Sequence, residues 1–295
     1  MGRRSSEKQM RRNSGEVVAQ HELRLAETAK DRGCLFCRGS DGGFKSVEHV
    51  FAESLGNKQL VLPRGVVCDR CNNSRLSELD QVLVDFMPIA FRRLWLGIPN
   101  KEGKIRPLSL ARESLEHRPA VGTKDPVIAI TSKIPGESAL REIERLGDGR
   151  IKFQLKGSGG RPMTPRYSSK LSRALLKSAL ECAWLDHGEA MLESRFDHIR
   201  EAVLGSHRDG YLAMETQVGN PNSTTITLCY YLLGEGGQSR MPVVATIYGV
   251  TLATDSRLPR PPITPPKDRA QIFMFTRADF SSSQPRYQGN DLSDM

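Results

Sequence analysis

Two cysteine pairs, Cys34-Leu35-Phe36-Cys37 and Cys68-Asp69-Arg70-Cys71, bracket a Glu48-His49 dipeptide, and Asn72 follows the last cysteine directly. Cysteines two residues apart let one tight turn aim both sulfurs inward. Two such pairs supply the four soft ligands of a closed tetrahedral zinc site. In zinc-finger peptides such a site draws about 10–16 kcal/mol of apparent binding energy, which gives a segment too short to bury much core a mechanical reason to hold metal. The spacing predicts structural zinc on Cys34, Cys37, Cys68 and Cys71. Between the pairs there is room for a hairpin, which would set a carboxylate and an imidazole near the helix opened by the second pair. A fold fastened by one metal could then present a second metal and a base for hydrolysis.

The positioning elements follow from turn residues and apolar periodicity. Residues 1–15 read as a basic arm; Val17, Val18, Leu25 and Ala26 give a modest helical pattern that Gly33 ends, so 1–32 is arm and helix. Residues 33–80 are the cysteine module, with the turn-rich Gly39–Gly43 after its first pair. Leu76–Leu96 is mixed helical with a break at Pro88, and Gly97–Pro107 reads as a linker, so 81–107 is a connector. Beyond it, 127–131, 151–155, 224–233, 243–252 and 272–275 have the β-branched and aromatic content of strands. Between the second and third of these lie two helices. One carries the stripe Leu171, Leu175, Ser178, Cys182 and Leu185, with Ser168 or Ser169 as N-cap; the other carries Leu192, Phe196, Ile199 and Val203. The expected fold class is α+β: a zinc-stabilised module followed by an α+β domain over 108–280. The proline-rich 259–266 reads as an extended crossing, and 281–295 as a disordered tail.

Of the 295 residues, 38% are hydrophobic and 26% charged, which suits a globular chain. The formal charge of +9 favours a polyanionic partner, nucleic acid before membrane. No stretch approaches the ~20 apolar residues of a membrane span, and the basic start lacks the apolar core of a secretory signal. The expectation is a soluble cytoplasmic protein whose thiols stay reduced, where paired cysteines favour metal over disulfide. Cys182 and Cys229, alone in apolar surroundings, read as small core residues.

A zinc ribbon that binds nucleic acid without catalysis would satisfy the cysteines alone. The string Val47-Glu48-His49-Val50-Phe51-Ala52-Glu53-Ser54-Leu55-Gly56, then Leu62-Pro63-Arg64-Gly65-Val66-Val67, then Cys-Asp-Arg-Cys-Asn-Asn, says more. Over about residues 33–80 it resembles the HNH endonuclease family, in the four-cysteine branch that also includes a phage junction resolvase. The shared order is Cys-x2-Cys, acidic-His, Cys-x2-Cys-Asn; a bacterial subgroup has Glu-His-hydrophobic-hydrophobic-Pro-Glu-Ser-Leu-Gly-Gly. The resemblance implies a ββα-metal module that hydrolyses DNA phosphodiester bonds, with RNA as the other possible substrate. It implies His49 as general base, and Glu48 and Asn72 as ligands of a catalytic divalent cation. A carboxylate with an amide suits Mg²⁺ or Mn²⁺, and an imidazole near pKa ~6.5 can take a proton from water at neutral pH. The chain departs from the subgroup at Ala52, where proline is usual, and at Asn57, where a second glycine is usual. Asn57 is also one candidate for the family's middle asparagine, and Asn73 competes with Asn72 as ligand.

From 33 to 80 the chain holds six basic and six acidic residues, so its grip on DNA must come largely from elsewhere. Between 150 and 177 stand Arg150, Lys152, Lys156, Arg161, Arg166, Lys170, Arg173 and Lys177, with no acid among them. These, the amino-terminal arm and Arg92-Arg93 are the candidate phosphate contacts, with Arg75 one turn past Cys71. A solvated basic face is the plainer reading of the same run. Tyr167 could stack on a base or pack. The helical pair over 171–203 loosely resembles a segment downstream in bacterial HNH proteins, with a Gly-aromatic strand to follow, here near Ile247-Tyr248-Gly249-Val250. Nothing in the sequence sets an oligomeric state.

Overall fold

The structure, a computed structural model, describes residues 28, 31–58, 60–109, 113–118, 127–135, 140–145, 151–155, 165–205, 212–215, 223–235, 238–256 and 271–275. The basic arm, nearly all of the helix expected before Gly33, the proline-rich crossing and the carboxy-terminal tail lie outside these residues.

In the cysteine module, β1 (Glu48–His49) pairs antiparallel with β2 (Val61–Leu62), Glu48 opposite Leu62 and His49 opposite Val61. A 3₁₀ turn, Glu53–Leu55, lies between them and ends at Gly56 in the left-handed region. Helix α1 (Asp69–Cys71) starts behind Cys68 and runs through a π-helical turn, Asn72–Leu76, into α2 (Ser77–Asp85). Phe86 is extended and breaks the helix. Then α3 (Met87–Trp95) begins with Pro88 in its first turn, where a missing N–H costs no helical bond. The Gly97–Pro107 stretch is a built turn: the Asn100 side chain accepts from the backbone N–H groups of Glu102 and Lys104 at 3.0 and 2.9 Å.

The second half is mixed helix and sheet, as expected. β3 (Leu108–Ser109), β4 (Glu113–Arg118) and β5 (Val127–Ser132) form a three-stranded sheet, and β6 (Leu140–Arg145) pairs with β7 (Ile151–Leu155). Helix α4 spans Pro165–His187; α5 spans Asp197–Leu204. The remaining strands are β8 (Leu212–Glu215), β9 (Ile226–Tyr230), β10 (Leu233–Glu235), β11 (Gln238–Arg240), β12 (Pro242–Ile247), β13 (Val250–Asp255) and β14 (Gln271–Phe275). Five of them make an antiparallel sheet in the order β14-β9-β12-β13-β8, and α4 packs across it. The strand expected over 243–252 is in fact a hairpin. Its two-residue turn is Tyr248-Gly249, both at positive φ as tight hairpins require.

One apolar core joins the two halves. It holds Leu35, Phe36, Val50, Phe51, Leu55 and Leu62 of the cysteine module, Leu171, Leu175, Leu176, Ala179 and Leu180 of α4, and Ile226, Leu228, Ala245 and Leu252 of the sheet. Cys182 is in this core, as expected; Cys229 is only half-buried on β9. Helix α4 is buried on nearly every face from Leu171 to Trp184, which is the state of a helix covered on both sides. Among the described residues, no helix is long and apolar enough to cross a membrane.

Candidate functional site

The four sulfurs of Cys34, Cys37, Cys68 and Cys71 lie within 4.8 Å of one another. With Zn–S bonds of about 2.3 Å, a tetrahedron needs sulfurs roughly 3.8 Å apart, and Cys37 Sγ sits 3.7 Å from Cys68 Sγ. Backbone N–H groups of Phe36 and Cys68 point at Cys34 Sγ, and that of Cys71 at Cys68 Sγ, each at 3.4 Å. These bonds favour thiolates. The proximity of the Cys34 sulfur draws the Cys37 thiol down to about 4 and the Cys68 thiol to about 7, while its three neighbours push Cys34 itself up. The cluster is positioned to bind a metal and is compatible with a structural zinc ion.

The glycine-rich loop after the first pair is tied to the second. Asp69 accepts from the N–H groups of Lys45 and Ser46 at 3.0 and 2.8 Å. At Gly42 a Cβ would meet Cys68 Cβ and Sγ at 2.8 Å, so only glycine lets this loop close over the sulfur.

Asn72 is joined to the hairpin: its Nδ2 donates to Val47 O at 3.0 Å, leaving its side-chain oxygen as the atom a cation could meet. His49 is half-buried, and burial, with the Lys177 charge, holds its imidazole below the usual histidine range against the opposing pull of Glu53 and Asp80. The imidazole is thereby kept in its basic form at neutral pH. Glu48 is 3% exposed and turned inward. Its carboxylate meets Lys177 Nζ at 2.6 Å, and no hydrogen bond joins it to Asn72. Burial raises the Glu48 carboxyl above its ordinary value, with the Lys177 charge opposing.

Lys177 comes from α4 and is fully buried. Besides Glu48, its Nζ donates to His49 O at 2.8 Å and to Asp80 Oδ1 at 2.9 Å, and faces Glu181 Oε2 at 3.4 Å. Burial alone would lower the Lys177 ammonium, but Asp80, Glu181 and Glu48 together raise it, so it stays charged. Burial raises Asp80 and Glu181 as well. Breaking a buried pair from one side costs about 3–5 kcal/mol. The next residue of α4, Ser178, donates to Val50 O at 2.7 Å. Sequence reasoning missed Asp80 and Glu181 entirely.

The structure thus removes Lys177 from the phosphate-contacting set, because it lies inside the protein with its donors engaged. Arg92 leaves it too: it is buried, and its Nε donates to Tyr248 O at 2.9 Å. Lys170 and Arg173 are partly exposed on α4, and Arg173 Nε donates to Val203 O at 2.8 Å. Arg75 is exposed on the π-helical turn. Lys152 and Arg166 lie on β7 and α4 without described side chains, and Arg150, Lys156 and Arg161 fall outside the described residues. Tyr167 packs, its hydroxyl donating to Val82 O at 3.3 Å and its ring lying 6.3 Å from that of Phe86.

Comparison with family models, with curated proteins and with solved structures gave no match.

Proposed function

We propose that this chain is a metal-dependent endonuclease of the HNH type that hydrolyses DNA phosphodiester bonds. The observation that carries the reading is the seating of the Glu48-His49 strand against the helix of Asn72, through the Asn72–Val47 bond, beside a four-cysteine cluster. In this reading His49, its imidazole kept basic, takes the proton of an attacking water. Glu48 and Asn72 offer the hard oxygens that would hold Mg²⁺ or Mn²⁺, and the bound cation would supply charge stabilisation at the phosphate and the leaving oxygen. The +9 charge suits the polyanion, with Arg75, Lys170 and Arg173 as its contacts.

One observation favours a second reading, a zinc-ribbon protein that binds nucleic acid without cutting it. The Glu48 carboxylate is engaged by Lys177 rather than held toward Asn72. Plasmid digestion with Mg²⁺ or Mn²⁺, comparing wild type with His49→Ala, separates the two. The expected outcome is cleavage by the wild type and a loss of at least about 100-fold in the variant, the range of general-base catalysis. A zinc-loaded wild type that cuts no DNA form, or a His49→Ala protein that cuts as well, sinks the nuclease reading; a parallel RNA digest tests the other polymer.

A further inference from the structure

We propose that Arg173 and Arg75 form a two-guanidinium clamp for one backbone phosphate of a DNA strand, with Arg173 held ready by the end of helix α5. The clamp rests on the nucleic-acid binding that both readings above share and needs no cation. It adds to them a built phosphate site that bridges the two halves of the chain.

A solvated surface arginine swings freely; Arg173 does not. Its Nε donates at 2.8 Å to Val203 O, one of the carbonyls that the last turn of α5 leaves without a helical partner. Its guanidinium lies over Gly205, which closes that helix at φ 87. A Cβ on Gly205 would stand 2.8 Å from Arg173 Cζ and 2.9 Å from each Nη, so glycine is what leaves room for the group. Among the described residues the two Nη groups have no acceptor. An arginine tethered through Nε and bare at both Nη atoms presents the planar fork that matches two phosphate oxygens.

The second cation comes from the cysteine module. Arg75 is exposed on the π-helical turn and, among the described residues, stands in no ion pair. It is close enough to act on Arg173: burial and then the Arg75 charge lower the Arg173 guanidinium, while exposed Glu78 pulls the other way. Like charges set near each other repel, and an anion between them removes the repulsion. The place also suits a strand passing the candidate site. Arg75 is three residues past Asn72, whose side chain holds Val47 O, and Arg173 is four before Lys177, which holds His49 O. Each therefore stands about one helical turn, ~5 Å along the axis, from a residue fastened to the Glu48-His49 segment. The module from 33 to 80 has equal numbers of acids and bases, so a cation from α4 gives it a grip it lacks.

Fluorescence anisotropy of a short labelled duplex tests the clamp, with the zinc-loaded full chain and no added divalent cation. Arg173→Ala and Arg75→Ala are each expected to weaken binding about 10-fold, the scale of one charge-assisted hydrogen bond. The double variant should lose less than the product of the two, as partners on one phosphate do. Arg173→Lys keeps the charge but not the fork, and should lose nearly as much as Arg173→Ala. Wild-type affinity in a folded Arg173→Lys protein, or losses that simply multiply, would describe independent solvated charges and overturn the proposal. Melting temperature reports folding.

Should the Arg173 variants fail to fold, wild-type protein labelled with ¹⁵N-arginine decides. The Arg173 Nε signal, protected by Val203 O, is expected to shift as duplex is added, and a signal unmoved at saturation overturns the proposal. A shift with inorganic phosphate and none with duplex would assign the site to a free anion, which overturns it as well. Failure of the wider reading looks different. It is seen in the wild type itself, as duplex left unbound at low salt, and the clamp falls with it; binding without cleavage removes the nuclease reading alone.

Discussion

Asn57 stands where the resembling bacterial subgroup has glycine, and it makes bonds that no glycine could. It is 1% exposed. Its Nδ2 donates to Phe51 O and Leu60 O, and its Oδ1 accepts from Leu60 N, all at 2.9 Å, so one side chain stitches both ends of the loop between β1 and β2. Asn57→Ala would leave two buried backbone groups, Phe51 O and Leu60 N, short of a partner, while Leu60 O keeps the Val50 N–H at 3.1 Å. The expected loss is about 2–4 kcal/mol, read as a shift in denaturation midpoint, and a loss well below 1 kcal/mol would mean that the loop is held by other contacts. The sequence marked Asn57 as a departure and as a candidate asparagine, but its bonds to Phe51 and Leu60 depend on a loop shape that residue types do not encode. Lys177 was hidden differently. Grouped with its neighbours by charge it looked like a DNA contact. Yet it lies in Ala174-Leu175-Leu176-Lys177-Ser178-Ala179-Leu180-Glu181, where a Lys and a Glu four apart are the charges in an otherwise apolar run. That pattern is the signal of a buried pair.

At the scale of elements, the cysteine spacing translated directly into geometry, because two pairs of cysteines two residues apart bring four sulfurs within 4.8 Å of one another. The Asp69 bonds to Lys45 and Ser46 show what the spacing alone does not: the loop after the first pair is fastened to the helix that starts the second. Removing zinc should therefore loosen hairpin and helix together. The ~10–16 kcal/mol drawn from a site of this kind is comparable to a domain's whole stability of about 5–15 kcal/mol. Chelation at neutral pH is expected to unfold the module, with zinc release and loss of helical circular dichroism in step; full retention of the melting temperature after zinc loss would contradict this. Strands were legible where β-branched residues concentrate, as in β7, β9 and β14. β4, with Glu-Ser-Leu-Glu-His-Arg, and β6, with Leu-Arg-Glu-Ile-Glu-Arg, were not, because charged residues are poor strand formers until a partner strand is present. The split of β12 from β13 escaped notice for another reason. The turn puts Tyr248, a bulky residue, at φ 53, where its hydroxyl donates to Leu55 O and its carbonyl receives Arg92. Tertiary bonds hold a conformation that local preference disfavours.

For the whole molecule, the α+β class was readable but the unity of the core was not. Periodicity shows that a helix has an apolar stripe; it does not say which two layers will claim its faces. Helix α4 lies between the cysteine module and the five-stranded sheet, sharing one core with both. A fragment ending at residue 107 lacks α4 and the sheet and leaves the apolar surface of Val50, Phe51 and Leu55 without those core partners. Even loaded with zinc it is expected to give poorly dispersed amide signals by NMR, against a dispersed spectrum for the full chain. A well-dispersed fragment would mean that the module stands alone. The same arrangement has a consequence for how the protein is made. Cys71 completes the sulfur set, but α4 begins only at Pro165. At ~5–20 residues per second, a ribosome finishes the cysteine-bearing face and then leaves it uncovered for about 5–20 s, an interval in which capture by chaperones competes with arrival of the roof.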